Sequence, residues 1–120
     1  MAGKLSALDF IKNNVSMKPQ KKSVTLDSGV ILDFWVAPST LKERQNAKQV
    51  AGSDDVNAWG LVLLIQKARD ESGNRMFEDG QGPELQNEIP FRVLDRMMYE
   101  VLTEEVPEKE FTLKSVDEAA

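Results

Sequence analysis

The first hydrophobic pattern in the chain is that of a short amphipathic helix. Within residues 4–14, Leu5, Leu8 and Ile11 recur at helical spacing and fall on one stripe. Two asparagines and then Pro19 interrupt this pattern. The chain is therefore predicted to open with a helix that ends near residue 14.

The pattern then changes to β-branched and aromatic residues on both sides of a turn. Residues 23–27 and 30–36 are rich in such side chains, and the turn between them ends in Gly29. Glycine adopts the positive φ that a tight hairpin requires. An antiparallel hairpin is therefore predicted, and Pro38 ends it because proline has no amide hydrogen to donate.

A polar helix is predicted directly after the hairpin. Thr40 and Glu43 have the spacing of a capping box, and Gly52 suits a C-terminal stop, so the helix is expected over residues 40–51. This helix is expected to lie on the surface, because few of its residues are apolar. The residues expected to anchor it are Leu41, Ala47, Val50 and Ala51.

The most apolar stretch of the chain follows at residues 58–65. Asp54 precedes this stretch, and Lys67 and Arg69 come after it, which is the charge order that a helix dipole favours. A central core helix is therefore predicted from Asp54 to about residue 70.

Two further helices are predicted, and a proline opens each of them. Pro83 suits the first position of a helix that runs to about residue 87, and Pro90 suits the same position of a longer one. The longer helix carries an apolar stripe that consists of Phe91, Leu94, Met97, Met98, Val101 and Leu102.

Together these elements predict a mainly α protein of the α+β class. A small helical domain is expected over residues 1–105, with a β-hairpin at about residues 23–36. The acidic, patternless segment at 106–120 is expected to form a flexible tail. A chain of 120 residues has the size of one domain and of one hydrophobic core.

Charge is distributed unevenly along this sequence of net charge -5. Residues 1–22 hold five lysines against one acid, Asp9, whereas residues 103–120 hold six acids against two lysines. The basic segment has no arginine, and bidentate recognition of bases and phosphates favours the guanidinium group. Nucleic-acid binding is therefore not expected, and the lysines are interpreted as solvating the first helix and the loop after it.

The chain contains neither cysteine nor histidine. Disulfides, thiolate nucleophiles and imidazole ligands are thereby excluded, and no serine has a histidine to activate it. We expect no enzyme active site, no cofactor and no metal site. The longest apolar run, at residues 58–65, is far shorter than the roughly 20 residues that span a bilayer, so no membrane contact is expected.

One polar segment invites comparison with a calcium-binding loop. Asp70, Ser72 and Asn74 place oxygens at alternate positions, as a hard cation requires. However, Arg75 occupies the position of the required glycine, and Gln81 occupies that of the bidentate glutamate. The segment is therefore interpreted as a polar loop.

Two groups of apolar residues suit either the domain's own core or a partner. Phe34 and Trp35 are adjacent on a strand and point to opposite faces, of which a two-stranded hairpin covers only one. Met97, Met98 and Tyr99 pose the same question on the last helix, where methionine suits irregular partners. The sequence leaves both alternatives open.

The order of these elements resembles the tail assembly chaperones of lambda-like long-tailed bacteriophages. The matching segments are FWVAPSTLKERQNA at residues 34–47, SDDVNAWGLVLLIQKARDESGNRMF at residues 53–77 and the final amphipathic helix. Together they cover about residues 5–102. The family is held together by order and pattern, so no catalytic residue is carried over.

The resemblance implies a protein that acts in the host cytoplasm and is absent from the mature virion. Such a protein binds and solubilises the tape measure protein, forms a homo-oligomer along it and helps to recruit the tail tube protein. In many members, ribosomal frameshifting also makes a longer form that contacts the tail tube protein.

We hypothesise that six residues contribute to partner binding or self-association: Phe34, Trp35, Phe91, Met97, Met98 and Tyr99. Two other functions remain open. The first is a small acidic adaptor or inhibitor that binds a host protein through the C-terminal segment, and the second is a structural head-tail joining subunit of the virion.

Overall fold

The computed structural model describes residues 6–103. Within that range the chain forms five α-helices and one two-stranded antiparallel hairpin, which confirms the predicted α+β class. The predicted tail at residues 106–120 lies outside the described residues. The elements in chain order are α1 (Ala7–Asn13), β1 (Gln20–Thr25), β2 (Ile31–Val36), α2 (Leu41–Ala51), α3 (Val56–Lys67), a 3-10 turn (Asp79–Gln81), α4 (Gly82–Glu88) and α5 (Phe91–Leu102).

Helix α2 begins and ends where local chemistry predicts. The Thr40 hydroxyl accepts a hydrogen bond from the Glu43 amide at 3.1 Å, and the Glu43 carboxylate accepts one from the Thr40 amide at 2.9 Å. Gly52 ends the helix with a φ of 68°. Of the four predicted anchors only Ala47 is buried, whereas Leu41 and Val50 are exposed. The prediction that all four anchor α2 is therefore wrong.

The hairpin pairs β1 with β2 so that alternate residues face the core. Lys22 lies opposite Phe34, and Val24 lies opposite Leu32. The side chains of Phe34 and Val24 are buried. Gly29 closes the turn with a φ of 90°, the positive value expected of glycine there.

Helix α3 is the centre of the core. Its buried residues include Leu61, Leu63 and Leu64, and it packs mainly against α2 and α5. Gly60 faces α5, where an added Cβ would be in ordinary van der Waals contact with the side chains of Met98 and Leu102 at 3.5 Å. The prediction of a central apolar helix is therefore confirmed.

Helix α3 ends earlier than the charge pattern predicts, at Lys67 rather than near residue 70. Arg69 leaves the helix because its backbone pairs with Trp35: the Arg69 amide donates to the Trp35 carbonyl at 2.9 Å, and the Trp35 amide donates to the Arg69 carbonyl at 2.8 Å. Arg69 thereby extends the edge of the hairpin and is not a charge at the end of α3.

The interpretation of every N-terminal lysine as a solvated residue is wrong for Lys22. Its side chain is only 4% exposed, and its Nζ donates a hydrogen bond to the Thr103 carbonyl at 2.9 Å. Arg44 likewise donates to the Leu102 carbonyl at 2.9 Å. The last carbonyls of a helix have no partner within it and carry partial negative charge, so these two cations fix the end of α5.

Phe34→Ala is expected to lower the free energy of unfolding by about 3–5 kcal/mol, because it leaves a cavity in the core. Urea denaturation at neutral pH measures this loss. The matched control is Ile31→Ala on the same strand, where the side chain is exposed and a loss below about 1 kcal/mol is expected. Equal losses in the two variants would contradict the burial of Phe34.

Lys22→Met is expected to lower the free energy of unfolding by about 1.5 kcal/mol, because the Thr103 carbonyl loses a charged donor. Lys42→Met, at an exposed position of α2, is the control and is expected to change stability by no more than about 0.5 kcal/mol. An unchanged unfolding curve for Lys22→Met would show that the buried ammonium group does not hold α5.

Candidate partner-binding surface

Three of the six residues proposed for binding belong to the domain's own core. Phe34 is fully buried, and Met97 and Met98 are each 4% exposed. All three pack within one cluster with the apolar residues of α3. They stabilise the fold and form no part of an exposed surface, which corrects their assignment as partner contacts in the folded chain.

The other three residues, Trp35, Phe91 and Tyr99, reach the surface. Trp35 is half-buried because it points away from the face on which Phe34 lies. Phe91 and Tyr99 are 59% and 54% exposed on the outer face of α5. Arg96 lies over the Tyr99 ring, with its guanidinium carbon 5.4 Å from the ring centroid.

Trp35 forms one wall of an open cleft of about 490 Å³ between the hairpin and the end of α3. Lys21 lies over the Trp35 ring, with its Nζ 5.9 Å from the ring centroid. We call this feature the Trp35 cleft, and its lining residues are Pro19, Trp35, Ala37, Glu43, Gln66, Lys67, Arg69, Asp70, Glu71 and Gly73.

An ion pair between a buried lysine, Lys67, and a half-exposed glutamate, Glu43, lies on one side of the Trp35 cleft. The Nζ of Lys67, a side chain only 9% exposed, lies 2.9 Å from a Glu43 carboxylate oxygen and 3.2 Å from the Pro38 carbonyl oxygen. Burial acts to raise the pKa of Glu43, but the hydrogen bonds from Lys67 and the Thr40 amide outweigh it. The net pKa of Glu43 therefore lies below its ordinary value of 4.5.

In the loop beside the cleft, the Asp70 carboxylate binds backbone amides of the same loop. Asp70 accepts hydrogen bonds from the amides of Ser72 and Asn74 at 2.9 and 3.0 Å. Residues 6–103 contain no group of three or more acidic, histidine or cysteine side chains that could hold a metal ion. Of the alternating oxygens noted in the sequence, the Asp70 carboxylate caps a turn of its own loop.

Residues 6–19, which we call the N-terminal arm, lie outside the packed domain. All residues of the arm are exposed, and its last residue, Pro19, lines the Trp35 cleft. Helix α1 within the arm has no buried residue and is capped locally by Ser6, whose hydroxyl accepts from the Asp9 amide at 3.1 Å. Its large apolar side chains are Leu8, Phe10, Ile11, Val15 and Met17, each more than half exposed.

The arm and the cleft are contiguous, because Pro19 both ends the arm and lines the cleft. The arm was missed as a binding element at the level of sequence. Periodicity identified its apolar stripe, but an apolar stripe does not show whether the chain's own core or a partner covers it. The described domain provides no cover, so the apolar face of α1 is open.

A second apolar depression lies beside α4, and we call it the α4 hollow. It measures about 170 Å³, and its apolar lining consists of Phe77, Leu85 and Ile89. Its polar rim consists of Gln81, Glu84 and Glu88. The two glutamates are four residues apart and therefore lie on one side of α4, where both are exposed. No sequence motif marked this feature, because Phe77 comes from a loop before α4.

Comparisons with protein-family models, with curated proteins and with solved structures found no match to this chain. Among residues 6–103, no helix is long and apolar enough to cross a membrane. The geometry of the described residues is therefore what bears on function.

Glu43→Gln is expected to lower the urea midpoint at pH 7, because Lys67 loses its carboxylate partner. A lowered pKa in the folded state contributes stability above about pH 4.5, and this contribution is lost as the pH falls through the folded pKa. The difference between the wild type and Glu43→Gln should therefore shrink on acidification below pH 4.5. Glu71→Gln, at an exposed position of the same cleft, provides the baseline, and a difference that is constant with pH would contradict the assignment.

Proposed function

We propose that this protein is a tail assembly chaperone of a long-tailed bacteriophage. It binds the tape measure protein in the host cytoplasm, keeps it soluble and is released before the virion is complete. It also helps to recruit the tail tube protein. We assign the protein no catalytic role.

One observation carries this proposal: the folded domain leaves much apolar surface uncovered. Single exposed apolar residues are ordinary, but contiguous ones mark binding surfaces. The large hydrophobic residues that are exposed within residues 6–103 are Leu8, Phe10, Ile11, Val15, Met17, Val30, Ile31, Leu41, Val50, Val56, Phe91 and Tyr99. Five of the twelve lie in the N-terminal arm, which continues into the Trp35 cleft.

An open cleft with one aromatic wall suits an amphipathic helix of a partner. In such recognition, apolar residues at successive turns of the helix enter a groove, and polar groups at the rim fix its direction. Trp35 offers the flat apolar wall, and Arg69 and Glu71 offer charges of both signs. Phe91 and Tyr99 add exposed aromatic surface on α5 for a long client.

The resemblance of the sequence to the chaperone family supports the assignment of the Trp35 cleft to partner binding. Two of the three parts that carry the resemblance, residues 34–47 and 53–77, contain every lining residue of the Trp35 cleft except Pro19. The segments that look like the family therefore meet in space at the cleft. The formal charge of -5 suits a chaperone, because like charges keep its complexes dispersed.

Trp35→Ala is expected to weaken binding of the tape measure protein about tenfold or more, because a partly buried tryptophan is the kind of residue on which interfaces depend. The two proteins from one genome are co-expressed, and the tape measure protein in the soluble fraction is recovered by pull-down. Circular dichroism checks that the variant is folded. Val56→Ala, a half-exposed apolar position at the start of α3, is the control and should bind as the wild type does.

Three outcomes would contradict the proposal. The first is an insoluble tape measure protein beside an unbound wild-type chain. The second is loss of binding on deletion of residues 106–120 alone, which favours an acidic adaptor. The third is the presence of the chain in purified particles, which favours a head-tail joining subunit.

A further inference from the structure

The N-terminal arm presents an apolar face that nothing within the described chain covers. Leu8 and Ile11 are three residues apart on α1 and share one face, and Lys12 lies beside Leu8 because it is four residues further along. Leu8 and Ile11 are 62% and 55% exposed. The arm therefore combines two adjacent apolar side chains with a cation at their edge.

The α4 hollow has the size and lining that such an arm requires. Its volume is about 170 Å³, and a cavity of roughly 150 Å³ holds a benzene-sized group. Phe77, Leu85 and Ile89 provide its apolar lining. The arm of the same chain does not fill the hollow, because all of residues 6–19 are exposed.

Charge determines which partner suits the hollow. Residues 78–88 contain four acids and no basic residue, and one of these acids, Asp79, pairs with Arg75 at 2.7 Å. Glu84 and Glu88 line the hollow itself, and both are exposed. The arm itself, residues 6–19, contains two lysines, Lys12 and Lys18, and one acid, Asp9. The basic amphipathic arm is therefore complementary to the hollow in both its apolar groups and its charge.

We propose that the N-terminal arm of one copy docks in the α4 hollow of a second copy. Ile11 and Leu8 face Phe77, Leu85 and Ile89 of the second copy. Lys12 and Lys18 lie toward its Glu84 and Glu88. The occupant is a second copy of this chain and not a host protein.

The geometry of this contact has a consequence for assembly. Arm and hollow are different surfaces, so the interface is heterologous, and each added copy leaves one free arm and one free hollow. Such contacts close into a ring or continue as a row. This inference deepens the proposed function, since a row of copies can follow a long helical client, but its test requires this protein alone.

The test uses size-exclusion chromatography with light scattering over a range of concentrations of the full chain. The wild type is expected to gain mass as its concentration rises. Leu8→Ala combined with Ile11→Ala should require about tenfold more protein for the same mass, because the apolar contacts are lost. Leu41→Ala, an exposed leucine on α2 that lines neither surface, is the control and should associate as the wild type does.

Two charge-reversed chains make the test specific to arm and hollow. One carries Lys12→Glu with Lys18→Glu, and the other carries Glu84→Lys with Glu88→Lys. Each alone brings like charges together and should remain monomeric at concentrations where the wild type associates. An equimolar mixture should regain the wild-type mass, because each arm then meets a hollow of opposite charge.

A wild type that is monomeric at every concentration would overturn the inference. So would association of the Leu8→Ala, Ile11→Ala chain at wild-type concentrations, or a mixture of the charge-reversed chains that gains no mass. Circular dichroism of each variant shows whether the domain is folded. If a variant that stays monomeric still recovers the tape measure protein, the proposed function is unaffected. Failure of the arm–hollow contact is therefore distinguishable from failure of tape measure binding.

Discussion

The burial of α3 is the constraint on which the rest of this structure depends. Leu61, Leu63, Leu64 and Ile65 are all buried and lie on more than one side of the helix. No single neighbour can cover a helix that is apolar nearly all round. Helices α2 and α5 therefore pack against α3, and strand β1 packs against α5. Phe34, Met97 and Met98 belong to the same buried cluster as the apolar residues of α3.

This use of apolar residues determines what is left for binding. Residues that enclose α3 cannot also form an interface, so the exposed apolar groups come from positions that α3 does not require. Trp35 is available because it is adjacent to Phe34 on a strand and points the other way. The N-terminal arm is available because α1 packs against none of the elements around α3, and its local cap maintains a helical turn without tertiary support.

Two cationic side chains hold the C-terminal end of α5 in place. Lys22 reaches the end of α5 from β1, and Arg44 reaches it from α2, so three elements that are distant in sequence meet at the carbonyls of Leu102 and Thr103. The Lys67–Glu43 pair joins α2 to α3 beside the Trp35 cleft. The cleft is therefore built on packed elements, whereas the arm that borders it is free.

The sequence by itself determined the features that depend on near neighbours in the chain. The capping box of Thr40 and Glu43, the turn at Gly29 and the stop at Gly52 follow from backbone chemistry within a few residues. The apolar helix α3 follows from composition.

Only the tertiary structure decided the burial of Lys22, the end of α3 at Lys67 and the choice between Phe34 and Trp35 as the exposed aromatic. The first two depend on residues distant in sequence: Thr103 for Lys22, and the pairing of Arg69 with Trp35 for the end of α3. The open face of the arm and the α4 hollow belong to the same class, because whether an apolar group is covered depends on the whole fold and not on its own segment.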